Sequence, residues 1–338
     1  RLLSYCKPHT TMLLTAIFSV LVFTSTQIAF PLVVLYAIDN ALVKGKLNEG
    51  VLEICAMIFC TLAFVNYASN YYQETAVGKI AEGVLVKLRR DMFGHLQRVS
   101  LSFMDRTEVG RLMSRLQGDV NALQEFLETS VFAIGDLVLL FGIITALFVL
   151  NLELALLTLS VVPLLFIVRF IWLPKARAAF IKAREANSLA NGALAEAIHG
   201  VKTVQGMVRE GVNSDLYNKR AKQNLLAHLK AAKFAQVNVP VVDTLTGTAM
   251  AIIIVVGGQQ VLRSDLDLGV MVAFIFYVQR FFDPIRSLTL HYSFMQRAMI
   301  SGQRILEVLD VPIDVADKRD AIKMEKCDGT VEFSNVTF

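Results

Sequence analysis

The feature that most constrains this chain is an uncharged run over residues 10–38, which is 29 residues long. A helix needs about 20 apolar residues to cross the hydrocarbon core of a bilayer, and this run is too long for the apolar part of a signal peptide. Five more apolar segments follow, and three of them hold one charged residue each. The six predicted spans are 11–38, 54–73, 129–150, 154–172, 239–262 and one that begins at Leu268.

The composition agrees with a membrane protein. Of the 338 residues, 55% are hydrophobic and 18% are charged, whereas about a quarter of the residues of a soluble domain are charged. The apolar residues lie in blocks, which indicates several membrane crossings rather than one large soluble core. The four cysteines form no C-x-x-C pair and are interpreted as small apolar side chains. We therefore predict an all-α membrane protein with six transmembrane helices.

The loops between the predicted spans alternate between short and long. The connections 74–128 and 175–233 hold 55 and 59 residues, while the other three hold 15, three and five. Lys and Arg number eight and eleven in the two long connections, but only three in the short loops together. Because positively charged loops remain on the cytoplasmic side, we expect the long connections and both termini to be cytoplasmic, in a cell (inner or plasma) membrane.

The two long connections have the pattern of helices. In residues 81–98 apolar side chains recur every three or four positions, and residues 176–199 and 214–234 are rich in alanine. Since a 25-residue helix is about 37 Å long, each connection can leave the membrane as a helix, turn and return. The apolar residues that recur in residues 81–98 are Val84, Leu85, Leu88, Met92 and Leu96. The alternative is that each long connection forms a small independent soluble domain.

Four stretches resemble the transmembrane domains of ABC exporters, the group that contains multidrug and lipid exporters. Residues 101–127 carry an aromatic, Asp-x-x-x-x-Gly, Ser-Arg-Leu and Asp-Val, and residues 194–216 carry Gly-Val-Lys-Thr-Val. Residues 257–288 are similar to the family's sixth helix, except for Ser-Asp at 264–265 where a glycine is common. Residues 301–312 are similar to the exit from that helix. The resemblance implies two coupling helices and a domain-swapped dimer.

The resemblance puts one coupling helix in each long connection, parallel to the membrane and in contact with an ATPase domain. Gly110 is interpreted as allowing a tight backbone approach at the first turn, and Asp105 as the cap of the helix that follows. The candidate residues of the first coupling helix are Asp105, Arg106, Thr107, Glu108, Val109, Gly110 and Arg111. Those of the second, which by resemblance reaches the partner's ATPase domain, are Arg209, Glu210, Val212, Asn213 and Asp215.

The resemblance also divides the chain. Residues 1–10 are expected to form an interfacial lead-in, 11–312 the six-helix transmembrane domain, 313–328 a linker, and 329–338 the first strand of a nucleotide-binding domain. The sequence contains no G-x-x-x-x-G-K-[ST] loop of the kind that binds nucleotide phosphates. The resemblance implies that the full-length protein is an ATP-hydrolysing translocase that uses ATP and Mg²⁺. Because this loop is missing, we expect no catalytic residue in this chain.

Polar side chains inside the predicted spans are candidates for a substrate cavity, because burying them in lipid is costly. In the sixth span, three charged residues recur every three positions, and in the family this helix lines the pathway. The alternative is that these three pair along the helix surface. The candidate cavity residues are Gln27, Asn66, Asn70, Tyr277, Arg280, Asp283 and Arg286. The charged residues of other spans, interpreted as structural, are Asp136, Arg169 and Asp243.

The function that the resemblance implies is ATP-driven export by alternating access. An amphipathic drug, lipid or peptide would move outward from the cytoplasmic side, and the two arginines and one aspartate of the sixth span favour a substrate with an anionic part. The expected partners are a second transmembrane half, nucleotide-binding domains and the lipid bilayer, and no nucleic acid. The alternatives are a non-enzymatic six-span receptor, channel or assembly subunit, and a secondary transporter, which commonly has shorter loops.

Overall fold

The described part of this protein is mainly helical. A computed structural model describes residues 1–42, 48–314, 320–322, 326 and 328–337. Among them the only regular secondary structure is helical, which confirms the all-α prediction, and a 3-10 helix at Leu2–His9 leads into the first α-helix. The α-helices are α1 (Thr10–Ala37), α2 (Glu49–Leu96), α3 (Leu101–Arg106), α4 (Val109–Ser114), α5 (Val120–Leu150), α6 (Leu152–Leu159), α7 (Val161–His199), α8 (Val201–Gly206), α9 (Glu210–Ile252), α10 (Gly258–Leu262) and α11 (Leu268–Leu309).

In the part of the chain that the structure describes, six helical stretches are long and apolar enough to cross a membrane, as the sequence predicts. They are longer than the predicted spans, because the apolar segments continue as helix. The 48 residues of α2 extend over about 72 Å, more than twice the hydrocarbon core of about 30 Å. The six stretches are Ser4–Ala41, Glu49–Leu96, Val109–Leu150, Leu152–His199, Glu210–Leu262 and Leu268–Leu309.

Both long connections are helical, as predicted. The first contains the end of α2, the short helices α3 and α4, a π-helical turn at Arg115–Asp119 and the start of α5. The second contains the end of α7, the short helix α8 and the start of α9. Because α2, α7 and α9 run without interruption from the apolar segments into the connections, the alternative of two separate soluble domains is wrong.

The chain divides into two compact parts, of which the first comprises Arg1–Ala16, Glu74–Val131 and Leu290–Phe338. Its core contains the apolar stripe predicted on α2, all five of whose side chains are buried. The period of three to four residues therefore marks the inward face of this helix correctly. The residues of α5 and α11 that share this core are Val120, Leu123, Ala298, Ile305 and Val308.

The second part comprises Ile17–Gln73 and Phe132–Thr289. Its largest buried cluster draws on α5, α6, α7, α9 and α11, and includes the fully buried side chains of Ile253 and Phe274. Lipid tails are as apolar as these side chains, so close packing between helices, rather than exclusion of water, holds such spans together.

Within the second part, α7 and α9 lie side by side. Trp172 Nε1 donates a 3.0 Å hydrogen bond to the backbone oxygen of Phe234, and Trp172 is the single tryptophan of the chain. Further along the pair, Ala179, Ala183 and Ala231 form a small buried cluster. Small side chains of this kind allow two helix backbones to approach closely.

Two turns between spans have a defined local structure at Asn151 and at Ser264. Asn151 caps α6 by accepting a 2.8 Å hydrogen bond from the backbone N–H of Leu154. In the turn before α11, Ser264 has a φ of 62°, a left-handed conformation that glycine adopts most easily. The serine that departs from the family pattern therefore takes the backbone conformation that a glycine would favour.

The C-terminal residues carry no regular structure where the model describes them. Residues 328–337 form neither helix nor strand, so the strand expected over 329–338 is not observed. A strand forms only against a neighbouring strand, and none is present among the described residues. Parts of the predicted linker 313–328, including Cys327, lie outside the described residues, as does Phe338. The assignment of this segment to a nucleotide-binding domain stays a prediction.

Candidate transport pathway and coupling turns

The first turn contains two short helices rather than one. Helix α3 ends at Arg106 and α4 begins at Val109, so the predicted coupling helix at 105–111 covers parts of both. Asp105 lies in the last turn of α3, and the residue at the start of α4 is Glu108, whose side chain makes no capping hydrogen bond. The capping role predicted for Asp105 is therefore wrong.

Gly110 lies inside α4, away from any close contact. A Cβ atom built on it meets no other atom within 4 Å, and its φ is not positive. The tight approach predicted for Gly110 is therefore wrong within this chain. A close approach by a partner domain stays a prediction.

The second turn is displaced from its predicted position. The separate short helix is α8 at Val201–Gly206, followed by Val208 with a φ of 52°, which is unusual for a β-branched residue. Helix α9 begins at Glu210. Residues 209–215 are therefore the boundary and first turns of a long helix, not the separate short helix predicted for them.

Both turns expose apolar side chains. Leu101 and Val109 in the first turn are 81% and 74% exposed, and Met207 and Val208 in the second are 72% and 84% exposed. These apolar side chains are therefore left uncovered by the described part of this chain. Of these four residues, Val109 is among those predicted for the first coupling helix, whereas Leu101, Met207 and Val208 were not predicted.

Four of the predicted cavity residues lie on α1 or contact it, namely Gln27, Asn66, Arg280 and Tyr277. Arg280 Nη1 on α11 donates a 2.8 Å hydrogen bond to Gln27 Oε1. Asn66 Nδ2 on α2 donates a 2.7 Å hydrogen bond to the hydroxyl of Thr26. The structure therefore brings α1, α2 and α11 together through polar side chains at residues 26 and 27.

Tyr277 joins two helices, whereas the contact of Asn70 with Gln73 lies within one helix. Tyr277 is 1% exposed, and its hydroxyl donates a 2.7 Å hydrogen bond to the backbone oxygen of Ile28. This side chain is part of the packing between α11 and α1 and does not line an open space. Asn70 accepts a 2.8 Å hydrogen bond from Gln73 on its own helix.

The charged end of the sixth span contacts other helices. Arg286 Nη2 lies 2.7 Å from Asp243 Oδ1 on α9, and the Ser287 hydroxyl donates to Asp136 on α5. Asp283 is exposed and has no ion-pair partner among the described residues. The alternative of pairing along the helix surface is therefore wrong, whereas Asp136 and Asp243 do hold α11 to two neighbouring helices.

Two buried polar residues were not predicted. Asp119 and Ser301 are each 7% exposed, and the Ser301 hydroxyl donates a 2.8 Å hydrogen bond to Asp119 Oδ1. Each interrupts an apolar helical stripe, since Leu123 follows Asp119 and Ile305 follows Ser301 at the next turn. A polar residue on an apolar stripe is the sequence signal that would have found both.

Among the described residues, no three His, Cys, Asp or Glu side chains come together as possible metal ligands, and the sequence has no phosphate-binding loop.

Residues 13–285 match the sequence model of a family described as ABC transporter transmembrane region. This range includes both turns and every candidate cavity residue except Arg286. The match therefore rests on most of the chain rather than on one motif.

Relatives in three bacteria are similar over nearly the whole chain. The "Uncharacterized ABC transporter ATP-binding protein YknV" of Bacillus subtilis is 30% identical, over 100% of this chain and 56% of its own length. An "ATP-dependent lipid A-core flippase" of Desulfotalea psychrophila is 26% identical, over 90% of this chain and 54% of its own. A "Multidrug resistance-like ATP-binding protein MdlB" of Buchnera aphidicola is 25% identical, over 100% and 58%.

The chain thus spans a little more than half the length of these relatives. Its six spans and helical connections fit the matched family region. The chain belongs to the ABC transporter transmembrane family and is a transmembrane domain of an ABC exporter.

Proposed function

We propose that this chain supplies the substrate pathway and the coupling turns of an ATP-driven exporter that works by alternating access. It acts as one of two transmembrane halves in the cell membrane, with both termini in the cytoplasm. The observation that carries the proposal is the pair of helical connections whose turns expose apolar residues, because an ATPase domain seated on them would be linked to the spans by continuous helices.

The continuity of these helices gives the coupling a physical route. Helices α2, α7 and α9 each run unbroken from an apolar segment into a connection, so a displaced turn moves a rigid rod rather than a loose loop. ATP drives the change only by the difference in its affinity for the two arrangements of the full-length protein. The residues of this chain receive that movement and hydrolyse nothing.

Arg280 favours an amphipathic substrate with an anionic group. A guanidinium has five N–H donors, and Arg280 uses one of its nitrogens on the neutral amide of Gln27. The charge of Arg286, by contrast, is balanced by Asp243 at 2.7 Å. Arg280 is therefore the arginine of this helix segment whose charge remains available. The names of two relatives, a lipid A-core flippase and a multidrug resistance-like protein, support an amphipathic class.

The test is transport by the full-length protein in proteoliposomes, with two fluorescent amphiphiles that share a tail and differ in an anionic or neutral head. We expect ATP-dependent movement of both. Arg280→Gln should slow the anionic probe by about tenfold, since a charged hydrogen bond is lost, and leave the neutral probe unchanged. Arg263→Gln is the matched control, because Arg263 is an exposed cation in the short turn before α11.

Each outcome separates the alternatives. Equal slowing of both probes by Arg280→Gln would assign Arg280 to packing and remove the anionic preference. A wild-type protein that moves neither probe with ATP, but conducts ions or binds a ligand, would favour the channel or receptor interpretation.

A further inference from the structure

A buried carboxylate joins the helix after the first turn to the far end of α11. Asp119 closes the π-helical turn at Arg115–Asp119 and is 7% exposed. Its Oδ1 accepts a 2.8 Å hydrogen bond from the Ser301 hydroxyl and lies 3.6 Å from Arg304 Nη1. Single π-helical turns occur most often at functional sites, but the buried contact carries the inference.

Two ion pairs flank this contact, one on each side. Arg115 Nη2 lies 3.2 Å from Glu307 Oε2, and Arg297 Nη2 lies 3.1 Å from Glu125 Oε2. The sequence numbers rise on α11 as they fall on the facing helix, so the three contacts form one antiparallel register. We call the seven residues the Asp119 seam. They are Arg115, Asp119, Glu125, Arg297, Ser301, Arg304 and Glu307.

The three contacts differ in how strongly they oppose sliding of α11 along the facing helix. The flanking pairs have side chains that are mostly half-exposed, and exposed ion pairs contribute little to stability. A buried carboxylate is different, because sliding it away from its donors leaves a charge without partners in an apolar core. The apolar residues beside the seam, such as Leu123 and Ile305, hold the helices together without direction. Asp119 is thus the residue that opposes sliding.

We propose that Asp119 is a positioning residue that locks the cytoplasmic end of α11 to the helix that follows the first coupling turn, so that the two move as one body during transport. This proposal rests on the proposed function for its role in transport, although the lock itself does not. Without the lock, the turn could shift while α11 stays, and ATP would be hydrolysed without moving substrate.

The first experiment measures the lock without transport. Hydrogen–deuterium exchange is followed in the full-length protein over residues 112–125 and 297–309. Asp119→Ala should raise exchange in both segments by about tenfold, because local opening becomes easier. Gln117→Ala is the matched control in the same π-helical turn, because Gln117 is exposed and lies outside the seam, and it should leave exchange unchanged. If Asp119→Ala does not fold, Ser301→Ala tests the same hydrogen bond with a smaller change.

The second experiment measures coupling, as the number of substrate molecules moved per ATP hydrolysed. Asp119→Ala should lower this ratio about fivefold or more while ATP hydrolysis continues. Exchanging the two residues, with Asp119→Ser and Ser301→Asp, restores a carboxylate–hydroxyl pair beside Arg304 and should recover the ratio. A residue that is merely structural would lower protein yield and leave the ratio unchanged.

The two measurements fail in different ways. Equal exchange in Asp119→Ala and Gln117→Ala would overturn the lock, whatever the transport result. A normal ratio in Asp119→Ala would overturn its role in coupling. A wild-type protein without ATP-driven transport would contradict the proposed function, while the exchange result would still decide whether the lock exists.

Discussion

Tyr277 on α11 donates a 2.7 Å hydrogen bond to the backbone oxygen of Ile28 on α1. The residue that precedes Ile28 on α1 is Gln27, which accepts the hydrogen bond from Arg280. The buried tyrosine therefore fixes how α1 and α11 face one another at the position where the arginine meets α1. A residue predicted to meet substrate instead supports Arg280, the residue for which that role is proposed.

Removing the Tyr277 hydroxyl should weaken this support. Tyr277→Phe is expected to lower the free energy of unfolding in mixed micelles by about 0.6–1 kcal/mol, the range for one hydrogen bond in such proteins. Tyr277→Ala should cost about 3–5 kcal/mol, because it also leaves a cavity. Tyr36→Phe is the control, since Tyr36 is 54% exposed. Equal losses at both tyrosines would contradict the packing role.

Gly269→Ala should be destabilising because no space exists for a side chain. A Cβ there would come within 2.5 Å of the Leu35 backbone oxygen and 2.6 Å of the Asp39 carboxylate, which itself accepts a hydrogen bond from the Gly269 N–H. We expect a loss of roughly 1–3 kcal/mol, the usual range for overpacking.

The chain offers a matched control in Gly258. A Cβ on Gly258 meets nothing within 4 Å, so Gly258→Ala should be neutral or stabilising by up to about 1 kcal/mol. Melting of the two variants in the same detergent compares them directly. Similar melting temperatures would show that contact with Leu35 and Asp39 does not restrict residue 269.

The ion pair of Arg286 and Asp243 should show measurable but small coupling. The two side chains are 41% and 62% exposed, so a double-mutant cycle with Arg286→Gln and Asp243→Asn is expected to give about 0.2–1 kcal/mol. The free energies of unfolding of the four proteins supply the cycle. A coupling energy of zero would mean that α9 and α11 are held by apolar contacts alone.

Gly110→Ala separates stability from coupling. Nothing within this chain approaches Gly110, and alanine is the better helix former, so the variant should be as stable as the wild type or more stable by up to about 1 kcal/mol. If an ATPase domain approaches this glycine closely, ATP-driven transport should nevertheless fall. A variant that melts earlier would instead indicate a contact within the chain.

Patterns that depend on neighbours along the chain were predictable. Hydropathy located the six spans, and the period of three to four residues identified the buried stripe from Val84 to Leu96, because both follow from local helix geometry. The same local reasoning failed at Asp105, because the position that precedes α4 is occupied by Glu108, three residues further along the chain.

Contacts between distant residues were not predictable in the same way. Three charges spaced along α11 suggest pairing on one helix, yet Arg280 reaches Gln27 and Arg286 reaches Asp243. The choice depends on how the helices are rotated against one another, which spacing along one helix does not encode. Asp119 and Ser301 combine both situations. The sequence shows that each lies on an apolar stripe, but it does not show that the two residues pair with each other.

The position of Trp172 has a practical consequence. As the single tryptophan of the chain, it supplies all of the chain's indole fluorescence, and its N–H is bonded to Phe234 across the α7–α9 pair. Separation of the two helices would break that bond and change the polarity around the ring. The wavelength of tryptophan emission from the unlabelled chain therefore reports whether α7 and α9 remain in contact.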